Sequence, residues 1–141
     1  RSLMLLGKPT SIKTMANILS NGVEESISML FGYENGEMAV LTSSFASNCH
    51  NETELCFENG FIKFIREPEF PILMECNGVQ EEIYIEQPKG MGYELEAIHV
   101  MECLDQGLIE SPILPLSKSR ELMEIIDAVR KDAGIVFPKH D

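Results

Sequence analysis

The stretch Phe31-Gly32-Tyr33-Glu34-Asn35-Gly36-Glu37-Met38-Ala39-Val40-Leu41 reads as two extended segments folded back about Asn35-Gly36. Asn and Gly tolerate positive φ, which a type I′ hairpin turn requires at both central residues. Beyond the turn, residues 37–46 alternate. Met38, Val40, Thr42 and Ser44 fall on one face, and Ala39, Leu41, Ser43 and Phe45 on the other, which is the period of a strand. The same punctuation recurs at Asn21-Gly22, Asn59-Gly60 and Asn77-Gly78. Around these turns, 11–19 places Ile12, Thr14, Ala16 and Ile18 on one face, and 24–33 places Ile27, Met29 and Phe31 on one face. Further strands are predicted at 52–58, 60–66, 71–76 and 80–86, with a second strong hairpin from Leu55 to Phe64.

The second half changes period. Ile98, Met101 and Leu104 stand at helical spacing in 93–106, and Gly107 follows as a stop. Pro112 and Pro115 make 108–116 a non-helical connection. Ser117 is then the expected cap of a second helix whose Leu122, Ile125, Ile126 and Val129 form one apolar stripe, with Lys131 in its last turn and Gly134 ending it. Residues 135–138 read as a short edge strand. The fold class is therefore α+β: a mostly antiparallel β-sheet with helices packed on one face and the other face available for oligomerisation. At the start, Arg1-Ser2-Leu3-Met4-Leu5-Leu6-Gly7 reads as the last turns of an apolar helix ending at a glycine. A helix that opens a chain without an N-cap predicts a piece of a longer protein, the other reading being a start set by cloning.

Length and composition bound the rest. The 141 residues suffice for one domain, 1–141, with a single core. Asp and Glu total 23 against 11 Lys and Arg, a net charge of −12, which disfavours nucleic acid and anionic membrane because both need a basic footprint. No apolar run reaches the roughly 20 residues of a membrane-spanning helix, and no segment has the make-up of a secretory signal. Cys49, Cys56, Cys76 and Cys103 include no C-x-x-C pair, so they are expected to be reduced, buried thiols of a cytoplasmic protein. Asn51-Glu52-Thr53 fits the N-glycosylation pattern but, without secretion, is read as chance.

Chemistry-bearing patterns are sparse. Gly90-Met91-Gly92 lies between a strand and a helix, but a dinucleotide loop would need a third glycine where Leu95 stands, inside a parallel βαβ unit. Glu96, His99 and Cys103 share one helix face. A single Glu-x-x-His falls short of the paired motifs of a di-metal bundle, and zinc would want a further ligand, so no metal is assigned. No base is evident for a Ser or Cys nucleophile among His50, His99 and His140. The eight methionines are expected as core filler. No catalytic residue is assigned from the residues alone.

The segment Gly92-Tyr93-Glu94-Leu95-Glu96-Ala97-Ile98-His99-Val100-Met101-Glu102-Cys103-Leu104 continues through Gly107-Leu108-Ile109-Glu110-Ser111-Pro112, Arg120, Ile126-Asp127-Ala128-Val129-Arg130 and Gly134-Ile135-Val136-Phe137-Pro138. It resembles the C-terminal end of the glucose–fructose oxidoreductase / inositol dehydrogenase family, especially its dihydrodiol-dehydrogenase-like members. Gly22-Val23-Glu24-Glu25 and the strand from Asn35-Gly36 to Ser44-Phe45 are similar to earlier family patterns. The resemblance covers nearly the whole chain and implies a C-terminal domain whose partner is an N-terminal Rossmann domain absent from it. That missing domain would bind NAD or NADP and carry the catalytic lysine of an E-K-P motif. Gly7-Lys8-Pro9 does not match that motif, since Gly stands for Glu, and Lys8 receives no catalytic role.

The resemblance further implies a small-molecule substrate of the sugar, polyol or diol type, and a homo-oligomer formed through the sheet face. Family position places substrate-side candidates at Glu69, Phe70, Met91 and Tyr93. The fragment alone is expected to be non-catalytic. The alternatives are a stand-alone α+β dimerisation module without redox activity and a small metal-dependent enzyme using Glu96 and His99.

Overall fold

The computed structural model describes residues 1–49, 51–65, 71–85 and 92–137. Along these residues run helix α1 (Ser2–Leu6), strands β1 (Ser11–Ile18), β2 (Glu24–Gly32), β3 (Met38–Ser44), β4 (Glu52–Phe57), β5 (Gly60–Ile65), β6 (Ile72–Cys76) and β7 (Val79–Ile83), then helices α2 (Tyr93–Asp105) and α3 (Leu116–Ala133). The strands expected between 11 and 86 and both expected long helices are present, so the α+β class holds. Hydrogen bonding divides the strands into two antiparallel sheets, β1-β2-β3 and β4-β5-β6-β7, where the sequence suggested one. Two compact units follow the same division. The first holds Arg1–Asn48 and Glu102–Asp141, the second Cys49–Met101, and the boundary falls within α2.

In the first unit, the alternation of β1–β3 decides which face is covered. The registers Ile12↔Phe31, Ala16↔Ile27, Met29↔Leu41 and Phe31↔Ala39 place the apolar set on one side. Phe31 and Tyr33 form the core with Ile125 and Val129 of α3, and Leu3, Ile12, Ile27, Met29, Ala39 and Leu41 pack around them. Burying each large aliphatic side chain contributes about 1.5–3 kcal/mol. The opposite face is open, with Met15 79%, Met38 72% and Val40 76% exposed.

The turns differ from the expected pattern in an instructive way. Asn77-Gly78 is a two-residue turn with positive φ at both positions (51° and 79°), the I′ geometry. Asn21-Gly22 and Asn35-Gly36 instead close three-residue loops, in which Leu19 donates to Val23 and Tyr33 to Glu37 and the glycine alone has positive φ. At Asn59-Gly60 the turn lies one residue earlier, at Glu58-Asn59, because Gly60 pairs with Phe57 as the first residue of β5.

Both long helices end in the same manner. Gly107 donates to Leu104 O and Leu108 to Cys103 O; Gly134 donates to Lys131 O and Ile135 to Arg130 O. These paired bonds form the Schellman arrangement, and glycine supplies the left-handed residue it needs. The second cap turns Ile135 into a buried position instead of an edge strand, so the strand expected at 135–138 does not form over 135–137; Pro138 lies outside the described residues. Ser117 is not the cap of α3. The helix starts a residue earlier at Leu116, with Pro115 in extended conformation before it. The Glu110 carboxylate accepts the Leu116 amide at 2.7 Å and satisfies one of the free N-terminal donors. The cysteines form no disulfide, but they are not buried as expected: Cys49, Cys56 and Cys76 are exposed and Cys103 is half-buried. Most methionines are not core filler either; Met29 packs against the core, while Met4, Met15, Met38, Met101 and Met123 are exposed.

Candidate functional site

Of the four substrate-side candidates, Glu69, Phe70 and Met91 lie outside the described residues. Tyr93 is described. It is the first residue of α2, preceded by Gly92 with φ 85°, and it is 68% exposed. Leu95 donates to Gly92 O, closing the first turn. Glu94 and Glu96 occupy that turn, a stabilising place for carboxylates near the positive end of the helix dipole. The same two charges make this helix end a poor seat for a phosphate. A tyrosine hydroxyl and carboxylate oxygens hydrogen-bond to alcohols, donating and accepting respectively.

His99 and Cys103 follow on the same helix, each half-buried. Among the described residues, no three His, Cys, Asp or Glu side chains converge to hold a metal ion. Among those residues His99 has no second carboxylate-and-histidine set beside it of the kind a di-metal site uses.

In the first unit, the segment entering β1 lies against α3 and leaves an open cleft of about 380 Å³ lined by Lys8, Pro9, Thr10, Ser11, Ile12, Glu124, Ile125 and Ala128. At its mouth Lys8 Nζ donates to Glu124 Oε2 at 2.7 Å. That hydrogen bond, and then the attraction of the Glu124 charge, raise the lysine above its ordinary pKa of 10.5. A lysine held protonated and paired is neither a base nor a nucleophile at neutral pH. Arg120 also bonds Glu124, at 3.2 Å, so the carboxylate is shared between two cations and is lowered, chiefly by Lys8.

A second polar cluster joins β1 to the last turn of α3. Asp132 Oδ2 accepts the Thr14 amide at 2.6 Å and the Thr14 hydroxyl at 2.9 Å, and Lys13 Nζ lies 3.7 Å from Oδ1. In the second unit, the face of β4–β7 bearing Glu54, Lys63, Leu73 and Glu82 is polar, with Lys63 Nζ 2.9 Å from Glu52. The partners of Lys8, Thr14 and Leu116 were not visible in the sequence. Glu124 and Asp132 are 116 and 118 residues away from theirs, and no local periodicity carries that information.

Nothing in these clusters amounts to a dinucleotide site. Every strand pairing among the described residues is antiparallel. A nucleotide crevice forms at the carboxyl ends of parallel strands where their order reverses.

No protein-family model matches the chain. It is similar to the trans-1,2-dihydrobenzene-1,2-diol dehydrogenase of Oryctolagus cuniculus, 31% identical over 140 residues, which are 94% of this chain and 43% of that protein. The Mus musculus enzyme of the same name is 33% identical over 142 residues, covering 94% and 41%. The chain thus spans less than half the length of the curated relatives it matches, and corresponds to their C-terminal part. Among solved structures, the aldose-aldose oxidoreductase from Caulobacter crescentus complexed with glycerol superposes with a TM-score of 0.78 at 18% identity, covering 94% of this chain and 41% of that one. Levoglucosan dehydrogenase in complex with NADH and levoglucosan gives 0.76 at 15%, covering 94% and 45%. At these identities the two structures establish the fold.

Proposed function

We propose, for a chain that is a relative of the dihydrodiol dehydrogenases within the glucose–fructose oxidoreductase / inositol dehydrogenase family, that residues 1–141 form the C-terminal domain of an NAD(P)-dependent oxidoreductase. The reaction class is interconversion of a CH–OH group and a carbonyl on a sugar, polyol or diol. The observation that carries this reading is the match itself: nearly all of this chain aligns with less than half of enzymes acting on such compounds. NAD or NADP belongs to a preceding Rossmann domain, because the antiparallel strands described here do not fit it. The proton-transferring lysine belongs there as well.

In this reading the chain's part is to present the substrate and to assemble the enzyme. Tyr93, at the exposed start of α2, donates to a substrate hydroxyl, and Glu69, Phe70 and Met91 are further substrate-side candidates by family position. The open face of β1–β3 meets a second copy. Its residues Met15, Ser26, Ser28, Leu30, Met38, Val40, Thr42 and Ser44 are uncharged; its charges are Lys13 and, at one end, the Glu25 carboxylate that accepts from Asn17 at 2.6 Å. In a chain of net charge −12, two such faces meet without the repulsion that the rest of the surface would impose. The enzyme is cytoplasmic, in keeping with four cysteines that form no disulfide.

The upstream coding sequence tests the proposal at little effort. A strand, a glycine-rich turn and an E-K-P motif ahead of Arg1 support it. Their absence favours the module without redox activity, which the apolar sheet face would also serve.

A further inference from the structure

We propose that Asp132 guards the outer edge of β1 and keeps a second copy's β1 from adding to this sheet. In the order β1-β2-β3, β1 is an edge strand, and an unpaired edge is a template for strand addition. The segment Ile12-Lys13-Thr14-Met15-Ala16-Asn17-Ile18 contains no proline or glycine, carries one charge and holds the β-branched Ile12, Thr14 and Ile18, so nothing in its own make-up blocks self-pairing. Thr14 stands opposite Met29 in the register, yet its amide goes to Asp132 Oδ2 at 2.6 Å and not to β2. The amide is therefore an outward one, at the middle of the strand. The Thr14 hydroxyl gives the same oxygen a second hydrogen bond at 2.9 Å.

An incoming strand needs a carbonyl where the carboxylate oxygen sits, so it must displace a charged acceptor from two donors. Charge-assisted hydrogen bonds of this kind are about twice as strong as neutral ones. Lys13, 3.7 Å from Oδ1 and with its side chain 81% exposed, adds a positive charge beside the same edge. Two aligned copies would bring their lysines together, and like charges directly opposite are destabilising. The guard thus sits on a helix that the chain places against β1 for packing reasons, and it closes the amide that packing leaves open.

The test uses the 141-residue chain, its Asp132→Ala, Asp132→Asn and Thr14→Val variants, and a labelled synthetic peptide of residues 11–18. Asp132→Ala is expected to keep the circular-dichroism spectrum, to lose at least tenfold of the exchange protection of the Thr14 amide, and to bind the peptide where the parent chain does not. Asp132→Asn, which keeps an acceptor oxygen, and Thr14→Val, which keeps the amide bond, are expected to exclude the peptide. In the unmutated chain, the Thr14 amide is expected to exchange more slowly than the outward amides of Ile12 and Ala16, a comparison that stands even if Asp132→Ala does not fold. Equal exchange at the three amides, or a folded Asp132→Ala that excludes the peptide, would overturn the proposal.

Discussion

The carbonyl oxygen of Glu75 occupies the space that a β-carbon on Gly60 would need. Gly60 pairs with Phe57 on one side and with Cys76 on the other, so it stands inside the four-stranded sheet and not at the tip of a turn. Glycine is required here for close approach, not for positive φ. Gly60→Ala is expected to lower stability by about 1–3 kcal/mol through overpacking, read as a shift of the urea midpoint. Gly36→Ala meets nothing within 4 Å and is strained only by its φ of 94°; its expected cost is about 1–2 kcal/mol.

Tyr33 is buried in the core of the first unit, and its hydroxyl has no hydrogen-bond partner among the described residues. A buried unsatisfied hydroxyl costs about 1–3 kcal/mol. Tyr33→Phe keeps the ring against Phe31, Ile125 and Val129 and removes that cost. Its melting temperature is expected to equal or exceed that of the parent. A clear fall would show that the hydroxyl is satisfied, for example by an internal water.

Acid stability follows from two carboxylates. Asp132 is held below its ordinary 3.8, first by the Thr14 hydroxyl and then by the Thr14 amide; Glu124 is held below 4.5, first by the hydrogen bond from Lys8. Each binds fewer protons folded than unfolded. Its contribution is therefore complete above the ordinary value and is lost as pH falls through the lowered one. Lys8, raised above 10.5, gives the opposite limb: its contribution is present below that value and lost as pH climbs past the raised one. Melting temperature against pH should be level from about pH 5 to pH 10 on these groups' account. Asp132→Asn should flatten the acid limb alone, whereas Lys8→Met should reduce both limbs.

The proposed dimer face makes a further prediction. Val40→Asp places a charge in its middle, beside Leu30 in the register and far from the α3-facing core. Sedimentation velocity is expected to show a dimer for the parent chain and a monomer for Val40→Asp, with unchanged circular dichroism. A monomeric parent chain would remove the assembly role.

The elements legible in the sequence are those set by short-range physics. Alternation placed Ile12, Thr14, Ala16 and Ile18 on one face of β1; the first three are covered, whereas Ile18 lies past a register shift at Asn17/Ile18 and is exposed, and Gly107 and Gly134 stopped their helices as a left-handed cap must. What escaped was set by residues distant in the chain. Period-two patterning says which face a side chain takes but not that pairing breaks between β3 and β4. Ser117 had the right chemistry for a cap, yet Glu110 took the amide from six residues away. Gly60 carried a turn signature while serving a close contact with a strand 15 residues on. The candidate site was legible only as family position, and Tyr93 is its one member among the described residues.

The most direct measurement is turnover by a chimera in which this chain replaces the corresponding C-terminal part of the Oryctolagus cuniculus dehydrogenase. Formation of NADPH or NADH would be followed with trans-1,2-dihydrobenzene-1,2-diol and a panel of aldoses and polyols. The predicted result is saturable turnover with at least one of these, lost when the E-K-P lysine is changed to methionine and weakened in KM by Tyr93→Phe. A folded chimera that binds the nucleotide but turns over none of them would contradict the account.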